Sequence, residues 1–339
     1  MDDTRPLPAD PTRVGVRDVA RVAGVSTQTV SRVINEHPNI RPETRDRVLQ
    51  AIAALGYRVN NAARTLGTRT TRTLGVIASD ATLYGPAVGI AALEAAARHA
   101  GRWIATAYSD ASDEASVRDA ADRLLGQGVD GLIVLAPHAA TLTALTGAHP
   151  GVAIAALHTG PGAEQQEAGA ALAISHLIEF GHRRIGRVAG PEEWLEARSR
   201  EAGMRRALEG AGLEAEPHWS GDWAAAAGAG LAGRVAAAVR APGGPTAVAA
   251  ANDQMALGLL RAFAEAGSAV PADVSVVGFD DVADAADYRP PLTTVRQDFD
   301  ALGSRAVAAL VEGIEAGAPA AFETVPTRLV VRASTAPAR

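Results

Sequence analysis

Cysteine is absent from all 339 residues, and so is lysine: every one of the 32 basic side chains is an arginine. Without cysteine there is no disulfide framework and no thiolate metal site. Without lysine there is no phosphate-binding GxxxxGK[ST] loop and no amine for Schiff-base chemistry. No apolar run reaches the roughly 18 residues of a membrane span, and no basic-then-apolar leader opens the chain, so a cytoplasmic location and no membrane contact are expected. The eight histidines show no HExxH spacing and no GxSxG elbow occurs, so neither a metal nor a cofactor is expected.

What is present describes a globular protein of two or three domains, with 47% hydrophobic and 21% charged residues. The net charge of −6 is unevenly spread. Residues 1–72 carry 12 Arg against 7 acids, a local +5, whereas the other 267 carry 20 Arg against 31 acids, or −11. A basic head on an acidic body suits a protein whose head alone meets phosphates.

Residues 16–35 predict two short helices joined by a tight turn. Val19, Val22 and Ala23 mark the inner face of the first helix, and Val30, Val33 and Ile34 that of the second. Gly24 supplies the positive φ of the turn, and Ser26 stands where an N-cap belongs. The second helix leaves Thr27, Gln28, Ser31 and Arg32 outside, where Gln can pair with adenine and Arg with guanine. An amphipathic hairpin with a solvated outer face reads the same way. A third helix, with Pro42 in its first turn and Val48, Ile52 and Leu55 at helical spacing, tips the balance towards a DNA-binding headpiece.

From residue 73 onward short apolar strands alternate with helical runs: 74–79, 103–109, 131–137, 152–157, 184–190, 246–251 and 274–279. That alternation predicts an α/β fold with doubly wound parallel sheets, and its length predicts two lobes around a cleft at the carboxyl ends of the strands. Two GxGxxG matches, Gly126-Gly128-Gly131 and Gly228-Gly230-Gly233, fail on context. The first ends a helix and leads into a strand, and the second lies inside an Ala-rich helix.

VRDVARVAGVSTQTVSRVIN, TRDRV (44–48), GY (56–57) and NAARTL (61–66), followed by GDW (221–223), ANDQMALG (251–258), VSVVGFDD (274–281) and PPLTTVRQDF (290–299), resemble the LacI/GalR repressor family from residue 14 to 333. The resemblance implies a disordered tail (1–13), a helix-turn-helix headpiece (14–60), a hinge helix and linker (61–72), a periplasmic-binding-protein-like core (73–333) and a short tail (334–339). The implied lobes are roughly 73–169 with 297–326, and 170–296 with 327–333. It also implies a homodimer on near-palindromic operator DNA, since no apolar heptads follow Ala333. Thr27, Gln28 and Arg32 would read bases, and Ser26, Thr29, Ser31, Asn35 and Asn60 would contact the DNA around them. Leu66 would wedge into the minor groove. Val59 departs from the family, which usually has proline before the hinge helix.

In the body, Arg200, Asn252 and Asp280 fall at strand–helix junctions and offer donors and acceptors suited to sugar hydroxyls, while Trp223 can stack on a pyranose. Asn252 or Asp253 can equally cap the helix beginning near Gln254, and Arg200 and Asp280 can equally form a structural ion pair. The resemblance places all four in a sugar pocket and sets Leu83, Pro86, Gln297 and Phe299 around the ligand, with Ser79 near it. A sugar-binding family member carries an acid where this chain has His158 and an amide where it has Leu135. A galactoside-like effector that releases the repressor from DNA is the expected logic. The alternatives are a corepressor that promotes DNA binding and a glycosidase. The latter is disfavoured because Asp280 and Asp281, as strand neighbours, point to opposite sides.

Overall fold

The computed structural model describes residues 14–35, 37, 39–57, 70–135, 137–215, 217–317, 323 and 325–339. The N-terminal tail, Val59, Asn60 and the hinge segment with Leu66 lie outside the described residues. The chain divides into two compact units, 1–71 and 72–339.

The first unit contains α1 (Val16–Ala23), α2 (Thr27–Ile34) and α3 (Pro42–Leu55). Gly24 ends α1 at φ 65°, and the Ser26 hydroxyl accepts from the Thr29 amide at 3.1 Å, capping α2. Val19, Ala20, Ala23, Val30, Val33, Val48 and Ala51 form its core. Val22 does not join them; it is 52% exposed and Ala20 takes its place. At about 100° per residue, Ala20 and Ala23 lie on one side of Val19 and Val22 on the other, so the buried stripe runs the opposite way around the helix. Ile34, Ile52 and Leu55 pack at its margin.

The second unit holds two sheets. In the first lobe β1 (Thr73–Ala78), β2 (Trp103–Tyr108), β3 (Gly131–Val134) and β4 (Ile154–Ala156) are parallel in the order β2-β1-β3-β4. Strand alternation splits the apolar side chains between two layers. Leu74, Val76, Ala78 and Ile133 meet α4 (Tyr84–His99) and α11 (Phe299–Ala316), whereas Ile77, Leu132 and Val134 meet α5 (Glu114–Gly126) and α6 (Ala139–Ala148).

The second lobe is a six-stranded sheet of order β10-β9-β8-β7-β5-β6, from β5 (Ile185–Ala189), β6 (His218–Ser220), β7 (Ala247–Ala250), β8 (Ser275–Asp280), β9 (Thr293–Arg296) and β10 (Arg328–Val330). Only β10 runs antiparallel to its neighbour. Around it lie α7 (Pro161–Glu179), α8 (Leu195–Gly210), α9 (Ala225–Arg240) and α10 (Asp253–Glu265). Both glycine motifs sit as expected, one between α5 and β3 and the other within α9.

Three strands, β6, β9 and β10, escape the sequence pattern because each short run includes polar or charged residues. In β9, Thr293 and Thr294 are wholly buried yet their hydroxyls are spent on Thr335 and Asp253. The expected tail is likewise part of the fold. Ser334 is fully buried against β8 through the Val276 amide and carbonyl, and the Ala338 amide donates to the Phe180 carbonyl at 2.7 Å. The first passage between lobes is at 157–160 rather than near 170, because α7 is one continuous helix packed along the second sheet. The return passage, at 297–298, separates β9 from α11.

Helices α9 and α10 touch backbone to backbone: Gly228 faces the Met255 carbonyl and Gly258 the Ala225 carbonyl, leaving no room for a Cβ. Gly230, two residues on from Gly228 and so on the opposite side of α9, faces open space. Gly258→Ala is therefore expected to cost about 1–3 kcal/mol by overpacking. Gly230→Ala is expected to stabilise by about 0.5–1 kcal/mol through reduced chain entropy. Thermal unfolding of the two variants should move in opposite directions; a shared direction would reject the close-packing account.

Candidate functional site

In the second unit, chemistry-bearing side chains gather at the carboxyl ends of the strands, where open parallel sheets leave a crevice. Leu135 follows β3, His158 follows β4, Asn252 follows β7, Asp280 ends β8 and Gln297 follows β9. The first two turns of α8 add Glu196 and Arg200, and the start of α4 adds Pro86. Two adjoining compartments result, sharing Gly85, Pro86, Glu196 and Arg200. One is lined by Leu83, Tyr84, Trp223, Asn252 and Asp280, the other by Leu135, Leu157, His158, Gln297 and Phe299.

Arg200 is the hub. Its Nη2 lies 3.1 Å from Asp280 Oδ1, its Nε donates to Gln166 Oε1 at 2.8 Å, and its Nη1 donates to the Ala251 carbonyl at 2.6 Å. Gln166 Nε2 donates to Gln297 Oε1 at 2.6 Å, and Gln297 Nε2 donates to Asp280 Oδ1 at 2.7 Å, closing a ring of four side chains. The guanidinium lies 4.0 Å from the Phe279 ring centroid and 5.5 Å from that of Trp223. Asp280 is held at φ 112°, a conformation that costs a non-glycine residue about 1–3 kcal/mol and persists only under such constraint. Asp281 points elsewhere, pairing with Arg296 and Arg332.

Both structural roles foreseen for these residues are realised. Asn252 caps α10, accepting from the Met255 amide at 2.9 Å while donating to the Trp223 carbonyl, and Arg200 and Asp280 form an ion pair. They line the cleft at the same time. Trp223 is not an open stacking platform. It is buried with φ 76°, lies against Gly190 where a Cβ would collide with its ring, and meets Trp194 edge-on at 6.1 Å. Ser79 is not brought to this cavity. It lines a separate open hollow with Asp80, Tyr108, Asp110, His138 and Trp194.

Sequence reading missed Gln166, Trp194 and Glu196. Glu196 stands four residues before Arg200 in an acid-rich run, the signature of an exposed helical pair. Instead it is buried with no salt bridge to Arg200, and among the described residues its Oε2 has no hydrogen-bond partner. His158 Nδ1 and Trp223 Nε1 are likewise buried and unpartnered. Burial pushes the Glu196 carboxyl up to about 7. Burial, aided by Arg200, drives the His158 imidazole down to about 3, so it stays neutral.

In the first unit Thr27, Gln28, Ser31 and Arg32 are all exposed on one side of α2, while Thr29 and Asn35 are half-buried. The Ser26 and Thr29 hydroxyls lie 2.9 Å apart and engage each other.

The Glu196 environment has a pH consequence. An unfolded glutamate releases its proton near 4.5, whereas the folded one retains it to about 7. Between those values the folded state binds more protons, so its stability falls as pH rises through the window. Asp253, pushed up to about 8 by burial and by Asp280, acts in the same direction. Glu196→Gln is expected to match the parent near pH 4.5 and to exceed it at pH 7.5 by on the order of 1–3 kcal/mol. Thermal melts at both pH values check this; a variant less stable than the parent at pH 7.5 would contradict it.

The comparisons with known proteins bear on both units. Residues 16–60 match the family model described as bacterial regulatory proteins, lacI family, and residues 174–335 match that of a periplasmic binding protein-like domain. The lactose operon repressor of Escherichia coli (strain K12) is 35% identical over 329 residues, covering 95% of this chain and 91% of the relative. A crystal structure of the Lac repressor dimer bound to operator and the anti-inducer ONPF superposes with a TM-score of 0.84 at 35% identity, covering 96% of this chain and 99% of that one. A complex of the transcriptional regulator CelR with cellobiose gives a TM-score of 0.68 at 30% identity, covering 95% and 100%. With such identity sustained across nearly its whole length, the chain belongs to the LacI family of bacterial regulatory proteins.

Proposed function

We propose that the effector of this DNA-binding repressor is a small neutral sugar, galactoside-like, which occupies the cleft of the second unit and releases operator DNA. The observation that carries the reading is the closed ring of Arg200, Gln166, Gln297 and Asp280 beside Asn252. Its one cation is matched by one anion, so it holds no spare positive charge for a carboxylate or phosphate. It offers donors and acceptors in quantity, as a polyhydroxylated neutral ligand requires. The ring and the cavity draw on α4 and α11 from one lobe and α7, α8 and β8 from the other, so a ligand there biases how the lobes meet. Relatives with sugar-linked names, the lactose operon repressor and the CelR–cellobiose complex, agree with this reading.

In the headpiece, Thr27, Gln28 and Arg32 are the proposed base readers, and Ser31 and Asn35 the proposed phosphate contacts. Ser26 and Thr29 combine a backbone contact with capping.

Fluorescence anisotropy of the full chain on a symmetric operator-like duplex, at stated salt, tests the switch with a panel of galactosides and other sugars. Loss of binding with one sugar supports induction, tighter binding reverses the logic to corepression, and indifference to every sugar rejects the effector class. Asp280→Asn should retain operator affinity while weakening the sugar response on the order of 10–100-fold, since an acceptor for hydroxyls is lost. An unaltered response would remove Asp280 from the site. Arg32→Ala should cost about 1–3 kcal/mol of discrimination at one base position. A loss equal across all sequences would instead mark Arg32 as a phosphate contact.

A further inference from the structure

Two buried polar atoms in the cleft have nothing to bond. Glu196 Oε2 and His158 Nδ1 lack a hydrogen-bond partner among the described residues, each other included, on residues only 6% and 9% exposed. Both residues line the compartment whose apolar walls include Leu93, Leu135, Leu157 and Leu302. The other polar side chains there, Arg200 and Gln297, are already engaged in the ring. Buried polar atoms are ordinarily satisfied, and two orphans in one compartment call for a ligand that brings a polar group to them.

The charges around the pair decide which polar group that is. The titratable side chains lining the two compartments are Tyr84 on α4, His158 after β4, Glu196 and Arg200 on α8, and Asp280 at the end of β8. Arg200 forms its ion pair with Asp280, and Asp280 in turn opposes a charge on Glu196. Burial outweighs the help that Glu196 receives from its own backbone amide and from Arg200, so the carboxyl keeps its proton to about 7. His158 is neutral down to about 3. A protonated carboxyl has one proton to donate, and a neutral imidazole has one ring nitrogen that accepts. A hydroxyl answers both, accepting from the first and donating to the second. An ionised carboxyl has no proton to give, and its charge is costly in an apolar compartment.

We propose that Glu196 and His158 bind the effector as a pair. The protonated Glu196 carboxyl donates to a ligand hydroxyl, and that hydroxyl donates to His158 Nδ1. Effector binding, and with it release of operator DNA, is thereby coupled to the protonation of Glu196. This rests on the sugar reading above and adds a proton to it: the bound state holds the Glu196 proton, so a chain that has lost it must take one up from solvent to bind. Affinity is therefore full while the free carboxyl is protonated and falls as pH rises past the point where it ionises. Asp253, behind Asp280 on α10, also titrates in this range but lines neither compartment.

Isothermal titration calorimetry on the full chain tests this with D-galactose, methyl β-D-galactoside, lactose and D-glucose, at about pH 6 and about pH 8.5, in buffers of different ionisation enthalpy. Binding is expected to be about 10- to 30-fold weaker at the higher pH, with uptake of about one proton per sugar bound there. Glu196→Gln keeps an N–H donor and has no proton to lose, so its affinity should not change with pH. Among monodeoxy forms of a probe that binds, one should lose both affinity at the lower pH and the pH dependence. Binding that is flat with pH, or that tightens as pH rises, overturns the inference and leaves the sugar reading intact, and this holds even if the variant folds poorly. A pH dependence that survives in folded Glu196→Gln belongs to another group, such as Asp253, and overturns it too. A monodeoxy series in which every member keeps the parent's pH profile removes the hydroxyl contact. No binding by any of the four sugars at either pH overturns the sugar reading and this inference together.

Discussion

Arg200 is a full positive charge carried almost entirely out of water, and the second unit is built to make that tolerable. A buried charge is stable only if it is paired and every donor has somewhere to go. Here Asp280, Gln166 and the Ala251 carbonyl meet the guanidinium, and the Phe279 ring lies under it. Gln297 and Gln166 then lock each other and Asp280 in place. Because Arg200 sits on α8, Gln166 on α7, Asp280 on β8 and Gln297 on the return passage between lobes, one charge ties four parts of the fold together. The positive φ of Asp280 is sustained by the same contacts.

The cleft inherits its form from that arrangement. Parallel strands deliver their carboxyl ends to one edge, so residues far apart in sequence share one cavity. Gly190 gives Trp223 its place by lacking a side chain, and Gly89 does the same for Leu135. The polar ring occupies one side and the leucine side chains another, with Glu196, whose Oε2 has no hydrogen-bond partner among the described residues, shared by the two compartments.

Much of this was legible beforehand. The headpiece helices, the Gly24 turn, the Ser26 cap and the seven apolar strands follow from local rules of periodicity, turn chemistry and capping. So does the exclusion of both glycine motifs, which failed on their local context. Val22 went astray because eight residues contain too few turns to set the phase of the stripe. Strands β6, β9 and β10 stayed hidden because polar or charged residues break their short runs, and because the buried threonines of β9 read as surface until their partners are known. Of the residues that line the cleft, Arg200, Asn252, Asp280 and Gln297 were expected there, whereas Glu196 looked like one more surface acid.

By itself the sequence determined the elements, their order and the residue types able to bind DNA edges and a polar ligand, since these depend on neighbours three or four positions apart. Only the tertiary structure decided which acid partners Arg200, which carboxyl is buried and raised to about 7, and that Ser79 lines a different hollow. Those outcomes turn on burial and on contacts between residues up to 131 positions apart, as for Gln166 and Gln297. Desolvation and long-range pairing arise from the packed chain, and no local pattern encodes them.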